Sequence, residues 1–476
     1  MQLIWFRNDL RVHDNTALTA ALEAGPTVAL FLLSPTQWRA HDEAPAKTDF
    51  QLRNLQALAD ELRQLNIPLL VRMADSWSAA PLVLAQVCRE HRLRHVHANE
   101  EYGVNEANRD RVVAEQLADQ DIGFSLYLDQ LLFRPGTLLT RSGSYFKVFG
   151  QFRKACLQRL RMTPPRCLPL PQPQTSMGIH SDPIPSSVAG FVTPDETLRS
   201  YWPAGEQAAR QRLQLFADNH LHEYDKQRDL PAEPGTSQLS PYLTSGVLSP
   251  RQCLHAALMI NQGELDSGNT GVTTWINELL WREFYKHILV AYPRVSRHRA
   301  FRPHTEAVPW RDAPEELLAW QQGRTGFPLI DAAMRQLLAT GWMHNRLRMV
   351  VAMFLSKNLL IDWRQGERFF MQHLIDGDLA ANNGGWQWSA STGTDAVPWF
   401  RLFNPITQSQ RFDPQRRFIK HWLPELGELD RRDIHDPSPI SRAICGYPAP
   451  IIDLADSRAR ALAAFKHLPP AASDLD

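Results

Sequence analysis

Two indoles, Trp386 and Trp388, stand among glycines, asparagines and small hydroxyl residues in GDLAANNGGWQWSASTGTD (377–395). The stretch shows neither a helical nor a strand period and reads as irregular backbone. Aromatic side chains dominate burial energetics, so packing is the ordinary explanation for any single Trp. Large rings set in so much backbone freedom suit a flat, polar ligand instead, with Asn382 and Asn383 beside it. Ten of the fourteen Trp fall between Trp275 and Trp422, which concentrates this chemistry in the second half of the chain.

A second constellation lies in TTWINELLWREFYKHILVAY (273–292). On a helix, Ile276, Leu279, Leu280, Phe284 and His287 share one face. Trp275, Glu278, Trp281, Arg282 and Tyr285 share another. A Glu278–Arg282 surface pair would explain the spacing. A carboxyl between two indoles at a cavity edge would instead have its charged form disfavoured, and could donate a hydrogen bond near neutral pH. In WMHNRLRMVVAMFLSK (342–357), Asn345, Met349 and Ala352 form a stripe with His344 and Arg348 beside it. His344 alone reads as structural, and no His or carboxylate spacing points to a metal.

Thr236, Ser237 and Ser240 in EPGTSQLSP could bind phosphate at a helix start or simply cap it. No P-loop lysine follows, which argues against kinase or ATPase chemistry. Arg228, Arg282, Arg346, Arg348 and Arg401 lie in or beside the aromatic segments. Guanidinium groups for phosphate and rings for base faces are what distorted or single-stranded nucleic acid requires.

The elements that would position these residues fall into two regimes. QLIWF (2–6), TVALFLLS (27–34), IPLLVRM (67–73) and RHVHANE (94–100) read as strands. Helical patterns at 50–66, 81–93 and 104–120 alternate with them. That order implies a doubly wound parallel sheet with ligands at the carboxyl ends of its strands. No GxGxxG follows the first strand, so a dinucleotide fingerprint is absent. Residues 162–203 turn Pro- and Ser-rich, as an extended connector does. Beyond about 204 the patterns are almost wholly helical. The expected domains are 1–130 (α/β), 131–203 (connector) and 204–476 (helical).

Composition narrows the class further. With 476 residues and 43% apolar content, two to three globular cores are expected. Lys plus Arg equals Asp plus Glu at 51 each, so nucleic-acid binding would need a local basic patch. Five scattered cysteines without CxxC spacing indicate reduced thiols. Without a signal-peptide core or a long apolar run, the chain is expected to be a cytoplasmic protein that does not enter a membrane.

Together these stretches resemble the DNA photolyase/cryptochrome family, and more narrowly bacterial class I cyclobutane pyrimidine dimer photolyases. WFRNDLRVHDN (5–15), EPGTSQLSPYLTSGVLSP, WINELLWREFY, TGWMHNRLRM, the 376–395 stretch and FRLFNP (400–405) carry the resemblance, in that order along nearly the whole chain. It implies an α/β antenna-binding domain, a connector and a helical domain holding FAD and DNA. Tyr224, Thr236, Ser237, Gln238, Leu239 and Ser240 would hold the flavin's phosphates and ribityl chain. Trp275, Arg348, Asp376, Gly377 and Asp378 would line the rest, with Asn382 facing N5 of the ring.

The activity implied is light-driven repair. An electron from excited reduced FAD would split a dimer extruded from UV-damaged DNA, then return. Photolyases are themselves known base-flipping enzymes, so extrusion is carried over from the family. Glu278 would hydrogen-bond the dimer carbonyls as charge develops there. Trp281 and Trp388 would pack on the dimer, Asn345 and Met349 would complete the pocket, and Arg228, Arg282, Arg346, Arg401 and Gln408 would grip the backbone. Trp386, Trp363 and Trp310 match the family's electron relay to oxidised flavin. VNEANRD (104–110) resembles the segment that holds 5,10-methenyltetrahydrofolate, with His41, Asn105 and Glu106 as contacts. Ser296-Arg297 stands where folate-binding members often have Cys-Lys, and an Arg fork is not a Lys point charge.

The enzyme is expected to act as a monomer. The alternative is a photoreceptor that signals through flavin redox change without repair. Glu278, Trp281 and the Asn345 pocket favour repair, and no long signalling tail follows. Repair of (6-4) photoproducts is disfavoured because His344-Asn345 stands where those enzymes use a His pair. A light-independent flavin oxidoreductase is disfavoured because no nicotinamide site is visible.

Overall fold

The chain is described here by a computed structural model covering residues 1–430 and 432–470. By internal packing it divides into two compact units that are not contiguous in sequence. One comprises Met1–His222, Ser237–Pro293 and Ile375–Gly377. The other comprises Glu223–Thr236, Arg294–Leu374 and the described residues from Asp378 onward.

The first unit is built on a five-stranded sheet, β1 (Gln2–Phe6), β2 (Thr27–Leu33), β3 (Leu69–Met73), β4 (His95–Asn99) and β5 (Gly123–Tyr127). All pairings are parallel and the order is β3-β2-β1-β4-β5. Helices α1 (Thr16–Ala24), α2 (Pro45–Gln64), α3 (Ala80–Glu90) and α4 (Val104–Ala118) supply the crossovers. The expected strands and helices at these positions are present. α1 and β5 were not anticipated. α1 is short but well started, since the Asn15 side chain accepts the Leu18 N–H at 3.1 Å. β5 is a half-buried edge strand without an apolar run.

The Pro- and Ser-rich stretch closes the other edge of the sheet. Ser181 Oγ accepts the Leu69 N–H and Asp182 accepts that of Val71 at 2.8 Å, while the Asp182 N–H reaches the Leu69 carbonyl. Backbone groups of β3 that would otherwise template a foreign strand are thereby satisfied. A helix, α5 (Phe149–Met162), also falls inside the region read as connector. The long helix α7 (Thr270–Ala291) follows α6 (Glu206–Asn219) in this unit. A buried ionic knot locks loops far apart in sequence: Arg251 bonds both Asp14 and Asp129, and Arg11 also pairs with Asp129. The two guanidinium groups hold the Asp129 carboxyl down at about 2 despite full burial.

The second unit is helical. Its core gathers Trp320, Trp363 and Trp386 with Phe354, Phe370 and many aliphatic side chains. Three helices matter for the site: α8 (Asn345–Met353), α9 (Trp363–Met371) and α10 (Leu379–Ala390). A single π-turn, Phe354–Asn358, continues α8 and carries Lys357 into the interior, where it is wholly buried. Its ammonium points at the carbonyls of Pro398, Trp399 and Arg401, the last at 3.0 Å. No helix among the described residues is long and apolar enough to cross a membrane.

Burial pushes the Lys357 pKa down to about 7, and an unfolded chain restores its ordinary value. Between these values the unfolded state binds the extra proton, so wild-type stability gains as pH rises from about 7 toward about 10. Lys357→Met should remove that gain, so the wild type improves relative to the variant across this window. Urea unfolding at several pH values checks this, and parallel stability curves would contradict it.

Candidate functional site

The stretch read as irregular is a helix. α10 starts at Asp378, whose carboxylate accepts the Ala381 N–H at 3.0 Å, and ends on Ser391 in the left-handed region. Its period was invisible because its buried side is Ala380, Asn383, Trp386, Gln387, Ser389 and Ala390, with no aliphatic stripe. Gly384 and Gly385 cost a helix about 1 kcal/mol each relative to Ala. Tertiary bonds override that cost.

Those bonds converge on Glu367 of α9. Its carboxylate accepts the Asn383 side-chain N–H at 2.9 Å and meets His298 Nδ1 at 3.0 Å. Asn383 in turn accepts from Gln387, whose own oxygen accepts the Phe301 N–H at 2.7 Å. The Glu367 main-chain carbonyl accepts from Asn382 Nδ2 at 2.9 Å. A carbonyl can only accept, so this bond fixes which end of the Asn382 amide is nitrogen and turns its oxygen the other way. Glu367 is a positioning residue that sequence reasoning missed; a spacing of fifteen residues from Asn382 offers no periodic signal.

Trp386 is not a ligand-facing ring on a loop. It is 2% exposed, packed edge-on against Phe370 at 5.0 Å and Trp320 at 6.0 Å. Gly366 underlies it so closely that a Cβ there would stand 2.1 Å from the indole. Trp363 lies in the same buried cluster and Trp310 packs at its margin. Arg364 sits 4.8 Å over the Trp363 ring. Trp388 remains half-buried, and Gly385 opens onto free space beside Asn382. A ligand has two things to meet here: a Cβ at Gly385 would touch nothing within 4 Å, and the Asn382 oxygen, with its nitrogen fixed on Glu367, can accept from a ring N–H.

The other residues of this unit are distributed unevenly. Tyr224 is buried with Arg228 stacked 5.5 Å over its ring, and Thr236 is half-buried. Asn345 is exposed at the start of α8, capped by His344, and Met349 is half-buried one turn on. Burial lowers the His344 pKa to about 4, so the ring is neutral, as its capping bond requires. Arg348 donates to the Met343 carbonyl at 2.8 Å. Arg346 forks onto Asp229 at 3.1 and 2.8 Å and lies over Phe412, so its guanidinium is engaged internally. Arg401 is exposed, and the Gln408 side-chain oxygen is buried without a hydrogen-bond partner.

In the first unit, α7 presents Glu278, Trp281 and Arg282 half-buried along one side. Trp275 belongs instead to the interior, tilted against Phe216 at 5.3 Å. Phe149 stacks on Trp281 at 3.7 Å and 12°, covering one indole face, while Phe284 and Tyr285 pack at 5.7 and 5.6 Å. Arg282 donates to the Gln130 carbonyl at 2.6 Å. Gln238 takes a left-handed φ of 50° and accepts from Arg212 at 2.8 Å, with Leu239 buried and Ser237 and Ser240 half-buried around it. The Gly377 carbonyl receives Lys47 and that of Asp376 receives Thr244.

The sheet's switch point, where the order reverses between β1 and β4, is the usual ligand crevice of this architecture. Here Arg7 and Arg109 pair with Asp110 and Glu101, and both lie over the Trp5 ring. Arg109 also covers Trp77, against which His41 packs edge-on. His41 and Asn105 meet at 2.9 Å. Glu106 sits one residue further on α4, its pKa raised to about 7 by burial and by the charge of Glu101.

Comparison with known proteins places this arrangement. Residues 2–174 match the family described as DNA photolyase, and residues 275–467 match the FAD binding domain of DNA photolyase. The chain is 44% identical to the deoxyribodipyrimidine photo-lyase of Escherichia coli, over 98% of both chains. It is 41% identical to that of Vibrio cholerae, over 98% of this chain and 99% of the relative. Among solved structures, a class III photolyase from Agrobacterium tumefaciens superposes with a TM-score of 0.88 at 33% identity, covering 98% and 97% of the two chains. A Synechocystis cryptochrome gives 0.85 at 30%, covering 98% and 99%. An α/β sheet followed by a helical FAD-binding region, matched from end to end, makes this chain a member of the DNA photolyase family.

Proposed function

We propose that this protein is a light-driven carbon–carbon lyase that splits cyclobutane pyrimidine dimers in UV-damaged DNA. The observation that carries the reading is the Asn382 amide, held by its nitrogen on the Glu367 carbonyl so that its oxygen is left as an acceptor, one helical turn from the open space at Gly385. An acceptor there suits the N–H of a reduced flavin and offers no acidic proton. Reduced FAD, when bound and excited, supplies the electron that opens the cyclobutane ring.

The chain's own residues bind and polarise. Tyr224, Thr236, Ser237, Gln238, Leu239 and Ser240 hold the cofactor's phosphate and ribityl portions. Trp275, Arg348, Asp376, Gly377 and Asp378 surround the remainder. Glu278 donates to the dimer carbonyls where negative charge develops, which lowers the barrier by electrostatic complementarity. Trp281, backed by Phe149, packs against one side of the extruded bases, and Trp388 offers a second ring. Asn345 and Met349 close the pocket. Arg401 contacts phosphate directly, with Gln408 beside it, and Arg228 and Arg282 flank the strand. Arg346 exchanges Asp229 for phosphate when DNA arrives, a trade between two bidentate acceptors.

Trp386, Trp363 and Trp310 relay electrons from the surface to oxidised flavin. Two rings lie in the core and the third at its margin, as a path toward solvent requires. His41, Asn105 and Glu106 hold an antenna, 5,10-methenyltetrahydrofolate. A carboxyl that titrates near neutrality can both donate to and accept from a pterin edge. The protein works as a monomer in the cytoplasm. The photoreceptor reading has a cryptochrome among the structural neighbours in its favour, at 30% identity against 44% for the Escherichia coli photo-lyase.

Glu278→Ala should slow ring opening about tenfold, the effect of one lost charge-assisted hydrogen bond, while flavin content stays near normal. Single-turnover illumination measures this, and unchanged repair removes the role. Trp386→Phe should block photoreduction of oxidised flavin yet leave repair by pre-reduced enzyme intact. Transient absorption decides it, and normal photoreduction contradicts the relay.

A further inference from the structure

The described chain closes with helix α11 (Leu454–Lys466), whose role nothing so far explains. It is fastened to the π-turn below it: Arg460 donates to the Asn358 carbonyl at 2.7 Å, and Asn358 donates to Ser457 at 3.1 Å. Between this helix and the segment before Trp310 lies a cavity of about 400 Å³. Ala307, Pro309 and Leu360 form one side, and Arg460, Ala464 and His467 the other.

Three features define what it takes. Its volume lies within the ~300–1,000 Å³ typical of small-molecule sites. Its lining is apolar except for Arg460 and His467, with no acidic side chain in it, so a flat or apolar body bearing negative charge is matched. Arg460 retains a buried Nε without a hydrogen-bond partner; the neighbouring Arg311 is paired with Glu316, and Asp456 also lies within electrostatic reach, so Arg460 is the cation the cavity itself presents. The third feature is position. Trp310 packs on Phe465 at 6.3 Å and joins the same small cluster as Leu360, Ala464 and Leu468, three residues that also wall the cavity.

We infer that this cavity is a binding site for a small organic anion that acts as a one-electron reductant, delivering its electron to Trp310. The inference rests on the reading of Trp310 as the outer member of the relay. After the relay fires, Trp310 is one electron short. The bound anion, of the enediol class, gives up one electron, restoring the indole. The anion becomes a radical and releases its proton to solvent. A donor held in the cavity, one layer of side chains from the ring, replaces a bimolecular encounter with an effectively intramolecular step.

The test is photoreduction of the oxidised holoenzyme at increasing ascorbate, with dithiothreitol as a neutral comparison, and dark equilibrium dialysis of ascorbate. The wild type should show saturating dependence on ascorbate, linear dependence on dithiothreitol and dark binding of ascorbate. Ala463→Trp, which fills the cavity from an exposed helix position, should abolish dark binding. It should also lower the ascorbate-to-dithiothreitol rate ratio about tenfold. Arg460→Gln should weaken both in the same direction. Strictly linear ascorbate dependence in the wild type, or an unaltered ratio in Ala463→Trp, would overturn the site. Trp310→Phe separates the two claims: if it photoreduces normally the relay itself is wrong, and if it is inactive while ascorbate stays linear only the donor site fails.

Discussion

A single buried carboxylate holds the candidate site in register. Glu367 bonds Asn383 through its side chain and Asn382 through its main chain, and so joins α9 to the glycine-interrupted α10. A buried charge left without partners costs several kcal/mol, so the helix is held by what its loss would expose. With α10 in place, Trp386 is seated over Gly366, Asn382 presents an oxygen, and Gly385 leaves room for a ring. Moving any one of these would move the others.

That dependence explains what the sequence revealed and what it concealed. The four expected strands and the helices between them follow from buried apolar runs alternating with amphipathic ones, and they occur close to where the patterns put them. The outward and inward sides of α7 were also legible, except that Trp275 turned inward against Phe216. α10 was not legible, because hydrogen bonds from distant residues stabilise it and hydrophobic periodicity does not. Lys357 was hidden for a similar reason: in FLSKN it looks like a surface helix residue, and only the π-turn rotates it into the interior. Arg346 and Arg282 stood out by type, but sequence could not show that Asp229 and the Gln130 carbonyl already engage them.

Charge is arranged locally in a chain whose net charge is zero. The Asp14–Arg251–Asp129–Arg11 knot and the Arg7–Arg109–Glu101–Asp110 group pair their charges internally, though Arg7 Nε and Arg11 Nε keep no hydrogen-bond partner. They fix loops at the sheet's carboxyl ends and leave little free charge there. Glu106, on the same side of the sheet, is compensated less fully by Arg109 and Lys286, and burial with the charge of Glu101 raises its pKa to about 7.

The most direct measurement joins cofactor, light and lesion in one cuvette. The protein, loaded with FAD and reduced, is mixed with an oligonucleotide containing one thymine dimer, and the ultraviolet absorbance of the pyrimidines is followed in darkness and under blue light. Recovery of that absorbance only on illumination, with one flavin per chain, is the predicted result. A protein that retains no flavin, or flavin that leaves the dimer untouched in light, would contradict it.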